Sequence, residues 1–484
     1  MQPNQTVDVL IIGAGLSGIS AAVHLKQRCP NKTFSIIEAR AAMGGTWDLF
    51  CYPGIRSDSD MYTLGYSFKP WTDPEAIADG PAILQYINET AKEYDIDQSI
   101  VYNYKAIKAN WSTTQSTWTI TIQNSVDGTT TECTCNFLYA CSGYYNYDHG
   151  YTPDFEGIDD YQGHFIHPQK WPNDLDYTGK NIVVIGSGAT AVTLVPELAK
   201  KAKKVTMLQR SPTYMVSAPR EDKVANLLRA LLPAMWAYKI IRWKNINMSI
   251  LVYNACKRWP KTMTKFLLKG VKKELENEED LKKHFTPHYN PWEQRLCLVP
   301  EADIFEAIKA NKAEIVTDHI ERITSDSIQL KSGQSIVADI IVCATGLELQ
   351  LLGGMTLTID TQEKDASNLL CFRGLMLQDI PNMALAFGYT NASWTLKCDL
   401  SSEYVCRLLN HMDSIGTASC TPRLVDDHIE KVPFVDFSSG YFQRGIHQLP
   451  KQGTSGPWVV NQNYKKDIKS LRKSDLSEKE LEYA

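Results

Sequence analysis

Three runs of this chain have residue types and spacings that point to ligand chemistry. Gly13-Ala14-Gly15-Leu16-Ser17-Gly18 and Gly186-Ser187-Gly188-Ala189-Thr190-Ala191 are glycine-rich turns, and Tyr161-x-Gly163-x-x-x-His167-x-x-x-Trp171-Pro172 lies between them. Each turn follows an apolar run (Val7 to Ile12, Ile182 to Ile185) and precedes helix-forming sequence, the strand-turn-helix context of a dinucleotide fingerprint. In that context the first glycine permits the tight turn and the second lets backbone N–H groups approach a pyrophosphate. The third position lets the helix close on the strand, leaving the phosphates at a helix N-terminus. Two nucleotide pockets are expected.

The residues that follow each turn separate the two nucleotides. Glu38 stands twenty residues after Gly18, at the end of the strand-like run Phe34 to Ile37, where a carboxylate accepts from ribose hydroxyls and repels a 2′-phosphate. After the second turn the equivalent run, Val205 to Leu208, ends in Gln209-Arg210-Ser211, and a guanidinium fork beside a hydroxyl is what a 2′-phosphate needs. The reading is FAD in the first pocket and NADPH in the second. Around the first, Gly13, Gly15 and Gly18 line the pyrophosphate, with Ser17 offering an N–H or its hydroxyl. Thr46, Trp47 and Asp48 follow the Gly44-Gly45 turn, Arg56 is expected to neutralise phosphate, and Ala106 to meet adenine through its backbone. Gly186, Ser187, Gly188, Ala189, Thr190 and Ala191 form the second cradle.

These elements imply an α/β fold with two Rossmann-like dinucleotide-binding domains, the second inserted in the first. The first part of the FAD domain covers residues 1–148, and its strands between Ile100 and Ala140 leave the sheet at Gly143. The NADPH domain covers 149–340, and residues 341–484 return to complete the FAD domain and form the tail. No third fingerprint occurs after Gly346. The segment Gln448 to Trp458 reads either as a cover whose Trp458 packs on NADP+ or as a static loop.

At 484 residues, 43% hydrophobic and 22% charged, the composition is that of a globular protein of two or three domains. The chain has no signal-like N-terminus and no run of eighteen apolar residues, and its twelve scattered cysteines lack metal-ligand spacing. Reduced thiols in the cytoplasm are expected, with no metal site. Charge is segregated: from Lys223 to Lys273 there are twelve Lys or Arg and no Asp or Glu, although the chain as a whole carries −5. Leu227, Leu228, Leu231, Leu232, Met235 and Trp236 recur there at helical spacing, and Tyr253, Trp243 and Trp259 are interleaved with cations such as Lys239, Arg242 and Lys244. A basic helical insert at about 222–290 follows. Either its cations are solvated, or it makes a peripheral contact with the anionic inner face of a membrane. No recognised nucleic-acid module accompanies the charge.

FAD with NADPH leaves disulfide reductases, NADPH oxidases and flavin monooxygenases open. A dithiol relay needs a cysteine pair soon after Glu38, and the segment Arg40-Ala-Ala-Met-Gly-Gly-Thr-Trp47 has none. The run Tyr161 to Pro172 resembles the fingerprint of the type I Baeyer–Villiger monooxygenases, F-x-G-x-x-x-H-x-x-x-W-[PD], with Tyr161 in place of Phe. Flavin-containing monooxygenases share its glycine and histidine but not its Trp-Pro ending. Gly44-Gly-Thr-Trp47, Tyr52-Pro-Gly-Ile-Arg-Ser-Asp58, Cys141-Ser-Gly-Tyr-Tyr-Asn-Tyr-Asp148, Asn290-Pro-Trp-Glu-Gln-Arg-Leu-Cys-Leu-Val-Pro300 and Gly388-Tyr-Thr-Asn-Ala-Ser-Trp394 are similar to strings of the ethionamide-activating subgroup. The resemblance runs from Val7 to about Tyr464.

It implies that NADPH reduces FAD, that O2 adds at flavin C4a, and that the peroxyflavin inserts one oxygen atom into a small apolar ketone to give an ester or lactone. Sulfides or thioamides are oxygenated as a second activity. By the same resemblance Arg295 stabilises the peroxyflavin and the substrate oxyanion, and Asp58, beside the flavin, orients Arg295. His167 couples the domains rather than the flavin chemistry. Relatives often carry Lys beside this arginine to grip the NADPH phosphate. Gln294 stands there instead, so coenzyme choice is expected to rest on Arg210 and Ser211. The alternative is an N- or S-oxygenating flavin monooxygenase with little ketone activity. The sequence does not speak to oligomeric state.

Overall fold

The structure is a computed structural model that describes residues 6–275, 277–426 and 428–484. Strand β1 (Thr6–Ile12) leads through the first turn into α1 (Leu16–Arg28), and β2 (Phe34–Ile37) and β3 (Ile100–Val101) follow. A meander of β4 (Tyr104–Ser112), β5 (Thr117–Asn124) and β6 (Thr130–Ala140) completes the first pass. From Val9 to Ile12 strand β1 is an unbroken apolar run because both faces are covered there. Val9 and Ile11 pack with α1 on one side, while Val7, Leu10 and Ile12 pack beneath the meander with Trp118 and Ile120. The meander strands alternate instead, Trp118, Ile120 and Ile122 being buried and their neighbours half-buried.

The second unit begins with β7 (His164–Ile166), β8 (Asn181–Ile185), α2 (Ala189–Leu198) and β9 (Lys204–Gln209). Next come β10 (Met215–Ala218) and the insert, whose first three helices are α3 (Lys223–Leu231), α4 (Ala234–Arg258) and α5 (Pro260–Lys272). Strand β11 (Cys297–Pro300) pairs in parallel with β10 and closes the insert at its base. β12 (Ala313–Thr317) and β13 (Ile340–Cys343) complete a five-stranded parallel sheet of order β12-β9-β8-β13-β7. Because β13 pairs with both β7 and β8, this unit extends through Cys343 rather than stopping at 340.

The chain then returns to the first sheet. β14 (Thr356–Ile359) pairs in parallel with β4, β15 (Gln362–Lys364) extends that edge, and β16 (Met383–Leu385) pairs with the end of β6. The nine-stranded result has the order β15-β14-β4-β5-β6-β1-β2-β3 with β16 beside β6. Helix α6 (Trp394–Ile415) packs on α1 and is buried along most of its length. Trp458 does not form a cover. It is 1% exposed and packs edge-on against Phe372 with ring centroids 5.4 Å apart, because the preceding strand Lys451–Gly453 is tied to Lys431–Pro433 and draws the indole into the core.

Candidate active site between two dinucleotide turns

A cavity of about 550 Å³ lies at the carboxyl ends of the strands, where an open α/β sheet binds ligands. Gly13, Gly15, Ser17 and Glu38 line it from the first turn and the end of β2, Thr46 and Trp47 from the short helix Thr46–Leu49, Ala106 from β4, and Ala189 and Thr190 from the second turn. The backbone at Gly13 (φ +102°) and Gly186 (φ +136°) is left-handed, and a Cβ at Gly186 would lie 2.3 Å from the Ala344 carbonyl oxygen. Gly18 faces away from the cavity. A Cβ there would lie 1.9 Å from the Gly13 oxygen, so its bareness lets α1 close on the turn. At the matching place Ala191 is fully buried.

Helices α1 and α2 both start at a glycine with no side-chain cap and no acidic residue in the first turn. Their first N–H groups have no intrahelical partner, and the positive end of each dipole is free to meet an anion. Glu38, 5% exposed, accepts from the backbone N–H of Ala14 (2.7 Å) and of Arg40 (2.9 Å). Burial pushes its carboxyl up, and the two N–H groups pull it back.

Other sequence candidates are held differently. The Ser17 hydroxyl accepts from Trp394 Nε1 (2.8 Å) and lies 3.3 Å from Cys398 Sγ, so it is already engaged within the fold. Asp48 is paired with Arg40 at 2.5 Å and does not line the cavity. Arg56 lines it, but its guanidinium is committed to Asp303 at 2.5 Å. Arg210 is exposed just beyond β9, and Ser187 Oγ donates to the Ser211 carbonyl (3.0 Å), which holds the Arg210-Ser211 corner against the second turn. Gln294 is half-buried and does not line the cavity, whereas Arg295 does.

Arg295 stands two residues before β11, whose pairing with β10 fixes its backbone. Its Nε lies 3.2 Å from Asp58 Oδ2, and 35% of its side chain is open. Asp58, together with Tyr441, Tyr144 and Tyr145, holds the guanidinium above the ordinary arginine value against the opposing effect of burial. The tyrosines form an aromatic wall: Tyr144 and Tyr145 have ring centroids 4.4 Å apart and hydroxyls 3.1 Å apart, and Tyr144 packs on Trp394 at 5.2 Å. Tyr144, Tyr145, Trp394 and Gln350 line the cavity although no site role was assigned to them from sequence, the first three standing only in strings that carry the resemblance. Three tyrosines within four residues of the strand exit at Gly143 are the signal that was there to find. Arg444, stacked 3.5 Å over the Tyr151 ring and pushed down by burial, also feels the like charge of Arg210. It places a second cation on the side of the second turn.

The fingerprint residues stand outside the cavity. His167 Nδ1 accepts from the Gln169 N–H (3.2 Å), which leaves the ring hydrogen on Nε2 to donate to the Gly346 carbonyl (3.1 Å). Burial pushes this ring's pKa down, so it is neutral at pH 7. The Tyr161 hydroxyl donates to the Ala338 carbonyl (3.0 Å), giving the extra oxygen of this Phe replacement a partner, and a Cβ on Gly163 would lie 2.3 Å from it. Trp171 is half-buried edge-on to Tyr177, and Pro172 is exposed.

A two-sheet α/β fold, with a glycine turn from each sheet facing one cavity and a fixed arginine in its wall, defines a two-nucleotide oxidoreductase. Comparison with known proteins narrows the class, and the chain belongs to the family of FAD-containing monooxygenases that includes EthA. It is 55% identical over 479 residues to the FAD-containing monooxygenase EthA of Mycobacterium tuberculosis, covering 99% of this chain and 98% of that protein. It is 47% identical to the probable FAD-binding monooxygenase AlmA of Acinetobacter baylyi, over 99% of this chain and 96% of that one. Residues 64–228 match the flavin-binding monooxygenase-like family, and residues 11–71 an NAD(P)-binding Rossmann-like domain. The fold is shared with an OTEMO complex with FAD and NADP (TM-score 0.77, 20% identity, all of both chains). It is also shared with an oxidised steroid monooxygenase bound to NADP (TM-score 0.72, 22% identity, 86% of this chain and 87% of that one).

Proposed function

We propose that the chain is an FAD-dependent, NADPH-consuming Baeyer–Villiger monooxygenase that inserts one oxygen atom of O2 into ketones to give esters or lactones, and that it also oxygenates sulfides and thioamides. The observation that carries this reading is Arg295, a permanently charged donor held 3.2 Å from Asp58 in the wall of a cavity reached by both dinucleotide turns. Bound FAD would supply the redox chemistry, taking a hydride from NADPH and passing electrons to O2.

The cavity fits that group. The bare backbone of Gly13 and Gly15 and the uncapped start of α1 suit a pyrophosphate, an anion at such a site being stabilised by about 0.3–1 kcal/mol through the dipole alone. Glu38 is placed to accept from ribose hydroxyls, and the backbone at Ala106 to meet adenine. The uncapped start of α2 suits the second pyrophosphate, Arg210 and Arg444 supply the charge for a 2′-phosphate, and Ser211 supplies a hydroxyl donor.

Arg295 presents N–H donors and a fixed positive charge to the oxygen on which negative charge develops when a carbonyl is attacked. One such donor is worth about 3 to 4 kcal/mol in a water-poor site. Asp58 keeps the guanidinium oriented, and Tyr144, Tyr145 and Trp394 keep water from that side of the cavity.

The test is product analysis by mass spectrometry over a panel of ketones and sulfides, with NADPH oxidation followed in parallel, for wild type and Arg295→Ala. Arg295→Ala should keep its flavin and still oxidise NADPH, but divert O2 to hydrogen peroxide. Ester formation at the wild-type rate in that variant would overturn the assignment of Arg295. Turnover of sulfides with no ester from any ketone would favour the S-oxygenating alternative.

A further inference from the structure

Of the fourteen most exposed large apolar side chains among the described residues, ten lie between Val224 and Phe266, so the apolar surface is concentrated on the insert. On α4 the exposed residues Trp236 (67%), Ile240 (43%), Trp243 (68%) and Leu251 (63%) fall within about 80° of one another at 3.6 residues per turn, forming one stripe. The opposite face of α4 is already used. Arg242 is 6% exposed and donates to the carbonyls of Tyr62 (2.9 Å) and Gly65 (2.7 Å), and Tyr238 donates to the Tyr66 carbonyl (2.9 Å). Arg242 is therefore an anchor rather than the surface cation its place in the basic run suggests. The stripe is held outward by a helix that has no other face to offer.

The charge next to the stripe is unspent. Lys244 pairs with Asp222 and Lys272 with Glu278, but Lys239, Lys257, Lys261, Lys265 and Lys269 are exposed and make no ion pair among the described residues. Lys261, Lys265 and Lys269 follow one another at i, i+4 and i+8 along a single face of α5. An apolar stripe containing two tryptophans, bordered by lysines in a chain of net charge −5, is complementary to an anionic bilayer surface and not to another copy of the same basic face. None of the described helices is long and apolar enough to cross a membrane, so contact made by α4 is contact in the plane. Helix α4 also stands close to the site. Tyr253 meets Trp292 edge-on at 5.6 Å, three residues from Arg295, and Ala392 lines both the large cavity and a small cleft beneath Ile246 and Ile250.

We propose that the insert is a monotopic docking surface for an anionic lipid bilayer, the inner face of a cell membrane, with the Trp236–Leu251 stripe of α4 at headgroup depth and the lysines of α5 on the phosphates. Docked in this way, the enzyme holds its cavity beside the phase in which apolar substrates concentrate. Each lysine near such a surface raises partitioning by about fivefold, so three in contact account for about a hundredfold.

The test is co-sedimentation of the flavin-loaded full chain with vesicles of phosphatidylglycerol and phosphatidylcholine in equal parts, or of phosphatidylcholine alone. Salt is set at about 0.01 M and about 1 M, where the Debye length is about 30 Å and about 3 Å. Binding is expected to the anionic vesicles at low salt only. It should fall at least tenfold in Lys261→Glu/Lys265→Glu/Lys269→Glu and, separately, in Trp236→Ser/Trp243→Ser, with NADPH oxidation unchanged in both. No binding at low salt, equal binding to neutral vesicles, or binding untouched by either variant would overturn the proposal. So would a dimer in solution that the tryptophan variant dissociates, because a second copy would then cover the stripe.

Discussion

Asp58→Asn is the sharpest perturbation of the site, since it removes one charge with little change of shape. At 3.2 Å the Coulomb attraction between Asp58 and Arg295 is about 5 kcal/mol in an effective dielectric of 20, before the cost of desolvation is counted. With 35% of the Arg295 side chain and 27% of Asp58 open, solvent screens much of that. What remains is a partly exposed charged hydrogen bond, about 1.5 kcal/mol, or about tenfold in the fraction of time the guanidinium is correctly aimed. Arg295 itself stays charged in the variant, because arginine does not titrate near neutral pH. The expected phenotype is thus loss of coupling: product per NADPH should fall about tenfold, hydrogen peroxide should rise in compensation, and flavin content and NADPH oxidation should hold. The assay measures NADPH, peroxide and ester in the same reaction. Coupling at the wild-type level in Asp58→Asn would show that Arg295 is oriented without Asp58. Loss of flavin from the variant would place Asp58 in cofactor binding instead.

Arg210→Ala removes the exposed guanidinium at the end of β9 and should weaken NADPH about tenfold or more, from about 1.5 kcal/mol of charged hydrogen bonding, with NADH little changed. Equal weakening of both coenzymes would make the residue structural. Asp399, buried among Ser20, Ser67, His24 and Arg242, is held at about 2, below the ordinary aspartate value, because these partners outweigh the upward push of burial. Its folded pKa lies below its unfolded one, so its stabilising contribution is present above about pH 4 and lost as pH falls toward 2. The stability gap between wild type and Asp399→Asn should shrink by about 2 kcal/mol across that window in chemical denaturation, and a constant gap would refute this. Trp458→Ala should cost about 3–5 kcal/mol of stability by opening a core cavity, while NADP+ affinity of the folded protein is unchanged. A selective loss of NADP+ affinity would restore the cover reading.

The fold class was legible because each glycine turn follows a strand segment buried on both faces, Val9 to Ile12 and Ile182 to Ile185, and such segments are written as apolar runs ending at a glycine. The exact extent of the second unit was less so: β13 belongs to its sheet by pairing with β7 and β8, and pairing partners are not written in a four-residue strand. Side-chain partners were the least legible of all. Asp48 and Arg56 follow the Gly44-Gly45 turn closely enough to invite a cofactor contact from the one and a phosphate role for the other, yet each is taken by an opposite charge, Arg40 eight residues earlier and Asp303 in the other domain. Arg242 looked like one more cation in a basic run. Its burial depends on backbone carbonyls near Tyr62 and on Asp399, brought to it only by the tertiary fold.

The position of the fingerprint explains why it identifies a family without describing a reaction. His167 stands just past the end of β7 and donates to Gly346, three residues past the end of β13, where the chain is on its way back to the first sheet. Tyr161, a few residues earlier, bonds Ala338 at the start of the same strand. The run therefore ties one crossing between the domains to the other, and its neutral imidazole serves as a two-sided connector rather than a proton donor to the cavity. Relative placement of the two dinucleotide turns is what any hydride transfer between their ligands requires, whatever substrate is oxygenated afterwards. None of the fingerprint residues lines the cavity, whose wall at Arg295, Tyr144, Tyr145 and Trp394 is built from positions far apart in sequence, so the run carries no information about what that wall can hold.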